Sequence, residues 1–461
     1  MERILLSDMA EALNIPIRNA AGVRVGGVST DSRTVRPGDL FFAIRGGRFD
    51  GHAFVADALR KGAVAAVVSD VGGSSRGPLL LVDDTVDALL TLAGWYRNRF
   101  ELPIVAVTGS NGKTTTKDMI ASVLSTRFRT AKTSGNYNNH IGVPLTLFDI
   151  EAAHQSAVVE IGMNHLGEIA RLAAAVRPKV GVITNVSAAH METMRNVDTV
   201  AQAKAELIEA LPPDGTAVLN WDDPRVKALW ARGPSNVVSF GMSPDAEVRA
   251  INIKTRPDGV SFELADGGRV ELPVPGSHNV MNALAAIAVG RVMGVPDEAA
   301  ADGLSVFQPS AMRMHTARVG QMTILNDAYN CNPGSLRAAL AALKDVAAGR
   351  PTAAALGDML ELGETSEEAH REAGATAARL GVDYLFLFGE EVKALSRGAT
   401  ENGIPPERVH IYEDKAALAE AVRSQLPASA VLLVKGSRGM RMEEVVESLM
   451  KEAPASDSAG A

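Results

Sequence analysis

One short stretch of this 461-residue sequence limits its fold more than any other. An apolar, β-branched run at 104–108 leads directly into a glycine-rich turn, and residues 117–124 then show helical spacing. The run predicts a buried strand, and the spacing after the turn predicts a helix. A strand, a tight turn and a helix in this order form the basic unit of a parallel α/β sheet. We therefore expect a doubly wound sheet with this turn at its carboxyl edge.

The turn has the composition of a phosphate-binding loop. Its residues are Gly109, Ser110, Asn111, Gly112, Lys113, Thr114 and Thr115. Backbone N–H groups at a helix N-terminus attract anions, a lysine supplies charge for terminal phosphates, and a threonine hydroxyl can ligate Mg²⁺. Val107 stands where the usual pattern has its first glycine. An ordinary glycine-rich turn is the alternative, but Gly-Lys-Thr-Thr between a strand and a helix favours a nucleotide site.

Further strands and helices alternate along the rest of the chain. Apolar runs at 157–161 and 180–184 extend the parallel sheet, 247–274 reads as short antiparallel strands with a turn at 266–268, and a helix is expected at 279–293. The βα rhythm restarts after 307–310, with strands predicted at 324–326, 353–356, 384–388 and 431–434. The fold predicted is α/β with three domains: a small α/β unit at 1–101, the P-loop-type sheet at 102–310 and a Rossmann-like domain at 311–451. Residues 452–461 are predicted to be a flexible tail.

Charge and composition exclude several classes of partner. The formal net charge is −8 and the pI is near 5.7, so the chain has no long-range attraction for nucleic acid or anionic lipid. No apolar run is long enough to span a bilayer, and the first residues lack the pattern of a secretory signal. The single cysteine, Cys331, cannot form an intramolecular disulfide. We expect a cytoplasmic protein without membrane insertion, and a monomer.

Two residues after successive predicted strands are candidates for a metal site. Glu160 ends one strand, and His190 follows the strand that precedes Asn185. The carboxyl edge of a parallel sheet collects ligands, and a carboxylate there can hold Mg²⁺. Each residue alone is more often structural or solvated, but their joint position favours a metal-nucleotide site.

These motifs together resemble the central domain of the Mur ligase family. The resemblance is carried by 109–115, 160–163, 185–190, Ala203 with Lys204, and 276–282. In that family Lys113, Thr114 and Thr115 would hold ATP phosphates and Mg²⁺, Glu160 a first metal ion and His190 part of a second. Lys204 matches a lysine that is carbamylated in the family. Without the resemblance, Lys204 would be interpreted as a solvated helix lysine.

The resemblance also implies contacts to the nucleotide base and from the third domain. Asn279 and Asn282 match adenine-edge residues; a helix N-cap and a surface amide are the alternative interpretation. Arg313 and Asp327 match residues that the third domain contributes to nucleotide binding when it closes. Lys435, Ser437 and Arg438 follow the last predicted strand as a basic loop facing the reaction centre, although basic loops are usually only solvated.

The remaining motifs indicate the substrates. Thr30, Asp31, Ser32 and Arg33 resemble the UDP-sugar-binding domain of family members that add the third residue or a D-alanyl-D-alanine dipeptide. The segments at 133–139, 327–335 and 355–363 are similar to the dipeptide-adding members. The implied partners are UDP-N-acetylmuramoyl-tripeptide and D-alanyl-D-alanine, with ATP consumed through an acyl phosphate. The implied substrate contacts in these segments are Asn138, Asn139, Tyr329, Asn330 and Asn332.

Two other functions stay open at this stage. A folylpolyglutamate-synthetase-type ligase shares the Gly-Lys loop and the ligase chemistry, but the segment 31–33 disfavours it. A non-catalytic nucleotide-dependent scaffold would also keep the loop. Glu160, His190 and Lys204 together disfavour the scaffold, because a simple binder has little need of two metal ions. The third residue of the tripeptide, diaminopimelate or lysine, is left open.

Overall fold

The computed structural model describes residues 1–16, 21–47, 49–71, 77–188, 191–234 and 236–451. Within these ranges the strands form one two-stranded sheet and three larger sheets of four, nine and six strands. The α/β fold class predicted from the sequence is confirmed. His190 and the predicted tail at 452–461 lie outside the described residues, and the domain boundaries at 101 and 310 remain predictions.

The amino-terminal part contains a parallel four-stranded sheet with the order β3-β4-β5-β6. Its strands are β1 (Ile4–Leu5), β2 (Arg24–Val25), β3 (Gly27–Ser29), β4 (Asp39–Phe42), β5 (Ala65–Val68) and β6 (Leu79–Leu81), and its helices are α1 (Leu6–Ala12), α2 (Val55–Arg60) and α3 (Thr85–Arg97), with a 3₁₀ turn at Gly51–Phe54. Helix α3 joins this part to the next, because the Tyr96 hydroxyl donates to the Ile150 carbonyl at 2.6 Å.

The central part is built on a nine-stranded sheet with the order β15-β14-β13-β12-β11-β10-β7-β9-β8. Its strands are β7 (Ile104–Thr108), β8 (Thr130–Lys132), β9 (Ser156–Glu160), β10 (Val180–Ile183), β11 (Thr216–Asn220), β12 (Asn236–Gly241), β13 (Val248–Arg256), β14 (Gly259–Leu264) and β15 (Arg269–Leu272). Its helices are α4 (Lys113–Ser125), α5 (Gly142–Phe148), α6 (Glu168–Val176), α7 (Met191–Met194), α8 (Val197–Glu209), α9 (Pro224–Ala228), α10 (His278–Val292) and α11 (Asp297–Ser305), with a 3₁₀ turn at Leu229–Arg232.

Strand β7 lies at the switch point of this sheet. It pairs in parallel with β9 on one side and β10 on the other. Later strands of the sheet are therefore added on both sides of β7, and a crevice opens at its carboxyl end. Every residue of β7 is buried, since Val105 and Val107 pack with α4 and α10 while Ile104 and Ala106 face the opposite core. The predicted antiparallel patch is also present as β13, β14 and β15.

The carboxy-terminal part has a six-stranded sheet with the order β16-β17-β21-β18-β19-β20. Only the edge strand β16 runs antiparallel, which fits the predicted Rossmann-like arrangement. The strands are β16 (His315–Val319), β17 (Met322–Asn326), β18 (Thr352–Gly357), β19 (Tyr384–Phe388), β20 (Val409–Tyr412) and β21 (Val431–Lys435). The helices are α12 (Pro333–Ala347), α13 (Ser366–Arg379), α14 (Val392–Glu401), α15 (Lys415–Gln425) and α16 (Glu443–Lys451), with 3₁₀ turns at Gly363–Thr365, Pro406–Arg408 and Arg438–Met440.

Candidate active site

The turn after β7 requires its two glycines for steric reasons. Gly109 and Gly112 have φ angles of 155° and 79°, which L-residues with a side chain rarely adopt. A Cβ atom on Gly109 would overlap the Thr184 hydroxyl, and one on Gly112 would collide with the Asn282 side chain. Helix α4 therefore begins at Lys113, four residues earlier than its apolar spacing predicted, because the loop glycines allow the helix to start inside the motif.

The segment after β10 holds the loop in place. Ser110 N donates to the Asn185 carbonyl and Asn111 N donates to Asn185 Oδ1, both at 2.9 Å. In return, the Thr184 hydroxyl donates to the Asn111 carbonyl at 2.6 Å. Ser187 N donates to Ser110 Oγ at 2.9 Å. Because its outer edge is tied down, the loop can keep the first N–H groups of α4 oriented toward the cleft.

Lys113 lies over this loop. Its ammonium donates to the carbonyls of Gly109 at 2.9 Å and Ser110 at 3.4 Å. Burial lowers the pKa of Lys113, the Glu160 carboxylate opposes that shift, and Arg313 adds to it. The ammonium is thus close to one candidate metal ligand and to one residue of the carboxy-terminal part, as a group acting on terminal phosphates would need to be.

Glu160 offers one unused carboxylate oxygen. Its side chain is buried at the end of β9, and Oε1 accepts a hydrogen bond from Asn138 Nδ2 at 2.7 Å. Oε2 is buried without a hydrogen-bond partner among the described residues. An unpaired buried carboxylate oxygen is costly unless a cation or donor satisfies it, so its position fits a metal ligand. The buried Thr114 lines the same cleft.

Lys204 is buried on α8, so the interpretation as a solvated helix lysine is wrong. It is 2% exposed, and in the described part of the chain its ammonium has neither a hydrogen bond nor an ion pair. Burial, with a smaller contribution from nearby Lys113, lowers the pKa of Lys204 well below its ordinary value. Across the described ranges, no three histidine, cysteine or acidic side chains gather as a metal cluster.

Asn279 and Asn282 form a buried chain of amides inside α10. Thr116 Oγ1 donates to Asn282 Oδ1 at 3.0 Å, Asn282 Nδ2 to Asn279 Oδ1 at 3.0 Å, and Asn279 Nδ2 to the Pro275 carbonyl at 2.7 Å. Both residues line the cleft but are almost inaccessible. The alternative of an N-cap and a surface amide is wrong, because both residues are buried and the N-cap position is Ser277.

The carboxy-terminal part closes the other side of the cleft. Asn332 caps α12 and donates to Asn111 Oδ1 of the loop at 2.7 Å. The Arg313 guanidinium stacks over the Tyr329 ring at 3.9 Å, a distance typical of a strong cation–π contact. The loop and the start of α12 are thus joined directly across 221 residues of sequence.

The three residues of the predicted basic loop after β21 lie in different environments. Lys435 is the last residue of β21, 2% exposed, and pairs with Asp327 Oδ2 at 2.5 Å. Ser437 is buried and donates to the Cys331 carbonyl at 3.2 Å. Arg438 pairs with Glu443 at 2.6 Å and is half-exposed. Only Lys435 of these three lines the cleft. It belongs to β21 and not to the loop, because the strand runs one residue further than its apolar run indicated.

These elements enclose one large cleft of about 680 Å³ between the central and carboxy-terminal parts. That volume suits a nucleotide-sized ligand. The predicted residues that line it are Ser110, Asn111, Gly112, Lys113, Thr114, Thr115, Asn138, Asn139, Glu160, Asn279, Asn282, Arg313, Asp327, Tyr329, Asn330, Asn332 and Lys435. Those described but not lining it are Thr30, Asp31, Ser32, Arg33, Gly109, Lys204, Ser437 and Arg438.

The amino-terminal candidates lie in the turn after β3. Arg33 Nε donates to Asp31 Oδ1 at 3.0 Å, and a second guanidinium nitrogen donates to Oδ2 at 2.6 Å. These bonds lower the pKa of Asp31 to about 2. The Ser32 carbonyl accepts from Lys61 at 2.8 Å, while the Arg33 side chain is 86% exposed and available to a ligand at this surface.

Two further residues of the cleft, and one buried residue of α4, had no predicted role. Ser187 and His278 line the cleft, and burial, aided by Lys435 and opposed by Asp327, lowers the pKa of His278. Lys117, one helical turn after Lys113, is buried but does not line the cleft. Lys113 and Lys117 are four residues apart and therefore lie on the same face of α4. This spacing could have identified Lys117 from the sequence.

Comparison with known proteins decides the family. The Mur ligase middle domain matches residues 107–290, the Mur ligase glutamate ligase domain matches 312–438, and the Mur ligase family catalytic domain matches 24–78. The chain is 37% identical over 432 residues to the UDP-N-acetylmuramoyl-tripeptide–D-alanyl-D-alanine ligase of Bacillus subtilis (strain 168), covering 93% of each chain. The chain belongs to the Mur ligase family.

Solved structures of Mur ligases share the whole architecture. The crystal structure of MurF from Acinetobacter baumannii matches with a TM-score of 0.89 and 32% identity, over 98% of this chain and 100% of that one. MurF from Thermotoga maritima in complex with ADP matches with a TM-score of 0.82 and 28% identity, over 93% and 97%. In the described residues of this Mur ligase, no helix is both long and apolar enough to cross a membrane.

Proposed function

We propose that this chain joins D-alanyl-D-alanine to UDP-N-acetylmuramoyl-tripeptide at the expense of ATP. The observation that carries the proposal is the cleft in which the phosphate loop faces Arg313, Tyr329 and Asn332 of the carboxy-terminal part. Such a cleft can hold ATP and an acceptor amine on opposite sides. The substrates are those named for the Bacillus subtilis relative, to which 93% of this chain aligns.

The chemistry follows from the poor reactivity of a carboxylate toward an amine. The terminal carboxylate of the tripeptide attacks the γ-phosphorus of ATP, which gives an acyl phosphate and releases ADP. The dipeptide amine then attacks the acyl carbon, phosphate leaves, and the amine loses a proton. Lys113 and the α4 N-terminus stabilise the phosphoryl oxygens as negative charge concentrates there. Because an acyl phosphate hydrolyses readily, the contact between Asn332 and Asn111 would help to exclude water.

The residues present fit a magnesium-nucleotide site. Glu160 Oε2 is buried without a hydrogen-bond partner among the described residues, and Thr114 supplies a buried hydroxyl beside the loop. Oxygen ligands of this kind suit Mg²⁺. When bound, Mg²⁺ would neutralise charge on the phosphate oxygens. A second ion, with His190 as a ligand, stays part of the proposal, although His190 lies outside the described residues.

Lys204 is proposed to act as a carbamate. A buried ammonium without an acceptor is costly, and Lys204 has no such partner in the described part of the chain. As a neutral amine it can attack CO₂, lose one proton and become a carboxylate-like group. That change would replace an unfavourable buried cation near Lys113 with an anion attracted to it.

The two rival functions are less well supported. MurF of Acinetobacter baumannii matches over 98% of this chain at 32% identity, and a Mur ligase family model matches residues 24–78. That range contains Asp31 and Arg33, which disfavours a folylpolyglutamate-type ligase. The unpaired Glu160 oxygen and the buried Lys204 disfavour a scaffold, since both cost stability without a reaction to serve. We expect the reaction to take place in the cytoplasm, and we expect the active protein to be a monomer.

Phosphate release from ATP is the direct test of this function. We expect rapid release with UDP-muramoyl tripeptide and D-alanyl-D-alanine together, and little without the dipeptide, because the acyl phosphate then has no acceptor amine. Parallel assays with the diaminopimelate and lysine tripeptides determine the preferred third residue. Release that depends on a folate and glutamate, or that needs neither peptide substrate, would contradict the proposal.

Replacing Arg33 with alanine tests the substrate assignment of the amino-terminal turn. Arg33 is 86% exposed, and exposed ion pairs add little to folding, so the variant should stay folded. We expect a higher KM for the UDP-sugar peptide and an unchanged KM for ATP, since the turn lies outside the nucleotide cleft. Steady-state kinetics with each substrate varied in turn will measure both constants.

The matched control is Arg60→Ala, a nearby exposed arginine that pairs with Asp57 and has no proposed role. It should leave both KM values at the wild-type level. An equal rise of both constants in Arg33→Ala, or no change in either, would show that this turn does not bind the UDP-sugar.

A further inference from the structure

Lys117 is a buried cation that the reaction proposed above does not use. It lies one turn after Lys113 on α4, and its side chain is 1% exposed. Its ammonium donates to the Thr133 carbonyl at 2.8 Å and the Gly135 carbonyl at 3.3 Å, and it pairs with Asp118 Oδ1 at 3.1 Å. A buried ammonium is stable only when acceptors of this kind satisfy it. Lys117 therefore favours the chain conformation that places the carbonyls of Thr133 and Gly135 beside it.

The segment that Lys117 holds is the one that orients Glu160. Thr133 Oγ1 accepts from Glu160 N at 3.0 Å, and Asn138 Nδ2 donates to Glu160 Oε1 at 2.7 Å. The Asn138 carbonyl also accepts from Gly162 N at 2.8 Å. Residues 133–138 follow the short strand β8 and thus contact both the backbone and the carboxylate of Glu160. A shift of this segment would move the free oxygen of Glu160.

Asp118 keeps Lys117 in its place. The buried Asp118 carboxylate accepts from Lys132 at 2.8 Å on Oδ1 and from the Ser310 hydroxyl at 2.7 Å on Oδ2. Burial would raise the pKa of Asp118, but Lys117, Lys132 and Ser310 together hold it below the ordinary value. The Asp118 carboxylate opposite Lys117 is therefore held by Lys132 and by Ser310. Ser310 lies in the connection that leads to Arg313.

We propose that Lys117 is a positioning residue that holds residues 133–138 so that Thr133 and Asn138 aim the free oxygen of Glu160 at the metal of the nucleotide. The inference rests on the metal role proposed for Glu160. Lys117 does not itself line the cleft. Its effect passes through two neighbouring carbonyls to a single carboxylate.

The variant Lys117→Met removes the charge and the donors while keeping an unbranched apolar side chain. We expect the Mg²⁺ concentration for half-maximal activity to rise about tenfold, as for loss of a residue that orients a metal ligand. The gain in affinity that Mg²⁺ gives a non-hydrolysable ATP analogue should fall by a similar factor in calorimetry. Affinity for the analogue in EDTA should stay near the wild-type value, because the loop after β7 is intact.

Lys132→Met is the matched control. Lys132 shares Asp118 Oδ1 with Lys117, but it is 49% exposed and lies on β8. The control should keep the wild-type Mg²⁺ dependence. An equal loss in Lys132→Met would overturn the inference, since the charge balance at Asp118 and not the hold on residues 133–138 would then be responsible.

Thermal unfolding separates positioning from general destabilisation. If Lys117→Met does not fold, Lys117→Arg carries the test: it keeps the charge, but its planar fork cannot reproduce both carbonyl contacts, so a smaller loss of the Mg²⁺ effect is expected. A folded Lys117 variant with the wild-type Mg²⁺ effect would overturn the role inferred for Lys117 and leave the metal role of Glu160 intact. If Mg²⁺ does not strengthen analogue binding to the unsubstituted protein, the proposed metal role of Glu160 fails instead.

Discussion

Replacing Lys113 with alanine is expected to remove nearly all turnover while the protein stays folded. The Lys113 ammonium lies over the loop after β7 and near Glu160 and Arg313, where its charge would act on phosphoryl oxygens. Losing one such contact costs about 2–4 kcal/mol of transition-state stabilisation. Phosphate release in the presence of both peptide substrates will measure the loss.

The fold should tolerate this change, because the hydrogen bonds that Lys113 makes are to carbonyls of a loop held separately by Thr184 and Asn185. Lys179→Ala is the matched control: this lysine belongs to the same part of the chain and pairs at the surface with Asp214, so activity should not change. Near-normal phosphate release by a folded Lys113→Ala protein would refute the assignment of the phosphate loop.

Replacing Lys204 is expected to have the second large effect. If Lys204 works as a carbamate, Lys204→Ala should lose about 10- to 100-fold in activity, as when a metal-site group is removed. Short carboxylic acids such as acetate should restore part of the activity, because they can occupy the space of the missing carbamate. Phosphate release with increasing acid concentration will measure the rescue.

Lys204→Arg separates the carbamate from an ammonium role. A guanidinium keeps a positive charge and does not form a carbamate in this way, so this variant should stay impaired and should not respond to added acids. The wild-type protein treated with the same acids is the control for nonspecific activation. A fully active Lys204→Arg enzyme, or a metal-loaded crystal grown with bicarbonate that shows an unmodified lysine, would refute the carbamate.

Local signals predicted the elements around the loop well. Strand β7 was predicted because its run, Ile-Val-Ala-Val-Thr, is largely apolar and β-branched, as is typical of a strand buried on both faces. In the central and carboxy-terminal sheets, strands β8, β11, β12, β16 and β20 were not predicted. Strand β8 has three residues, and β16 and β20 are edge strands with few buried positions, so neither length nor apolar pattern distinguished these three from loops. Strand β11 is buried at four of its five positions, so its apolar run was a usable signal that was missed.

Roles of single residues depended on neighbours distant in sequence. Lys204 was open to interpretation as a solvated lysine, and only the packing of α8 shows that it is buried. Lys435 was expected in a basic loop facing the reaction centre. It is instead the last residue of β21 and is buried, paired with Asp327, 108 residues earlier. Neither the burial of Lys204 nor the pairing of Lys435 produces a local sequence pattern, because the burial of a lysine depends on which other segments pack over it.

The sequence by itself determined the α/β class, the strand-turn-helix at 104–125 and the motifs of the Mur ligase family. Those properties depend on periodicity and on residue types within a few positions, where sequence and local structure are directly coupled. Only the tertiary structure decided why Gly109 and Gly112 are required, since Thr184 and Asn282 occupy the space of any side chain there. It also brought Asn332 onto Asn111. The physical reason is that a cleft between sheets is made by packing, which joins residues that no local pattern connects.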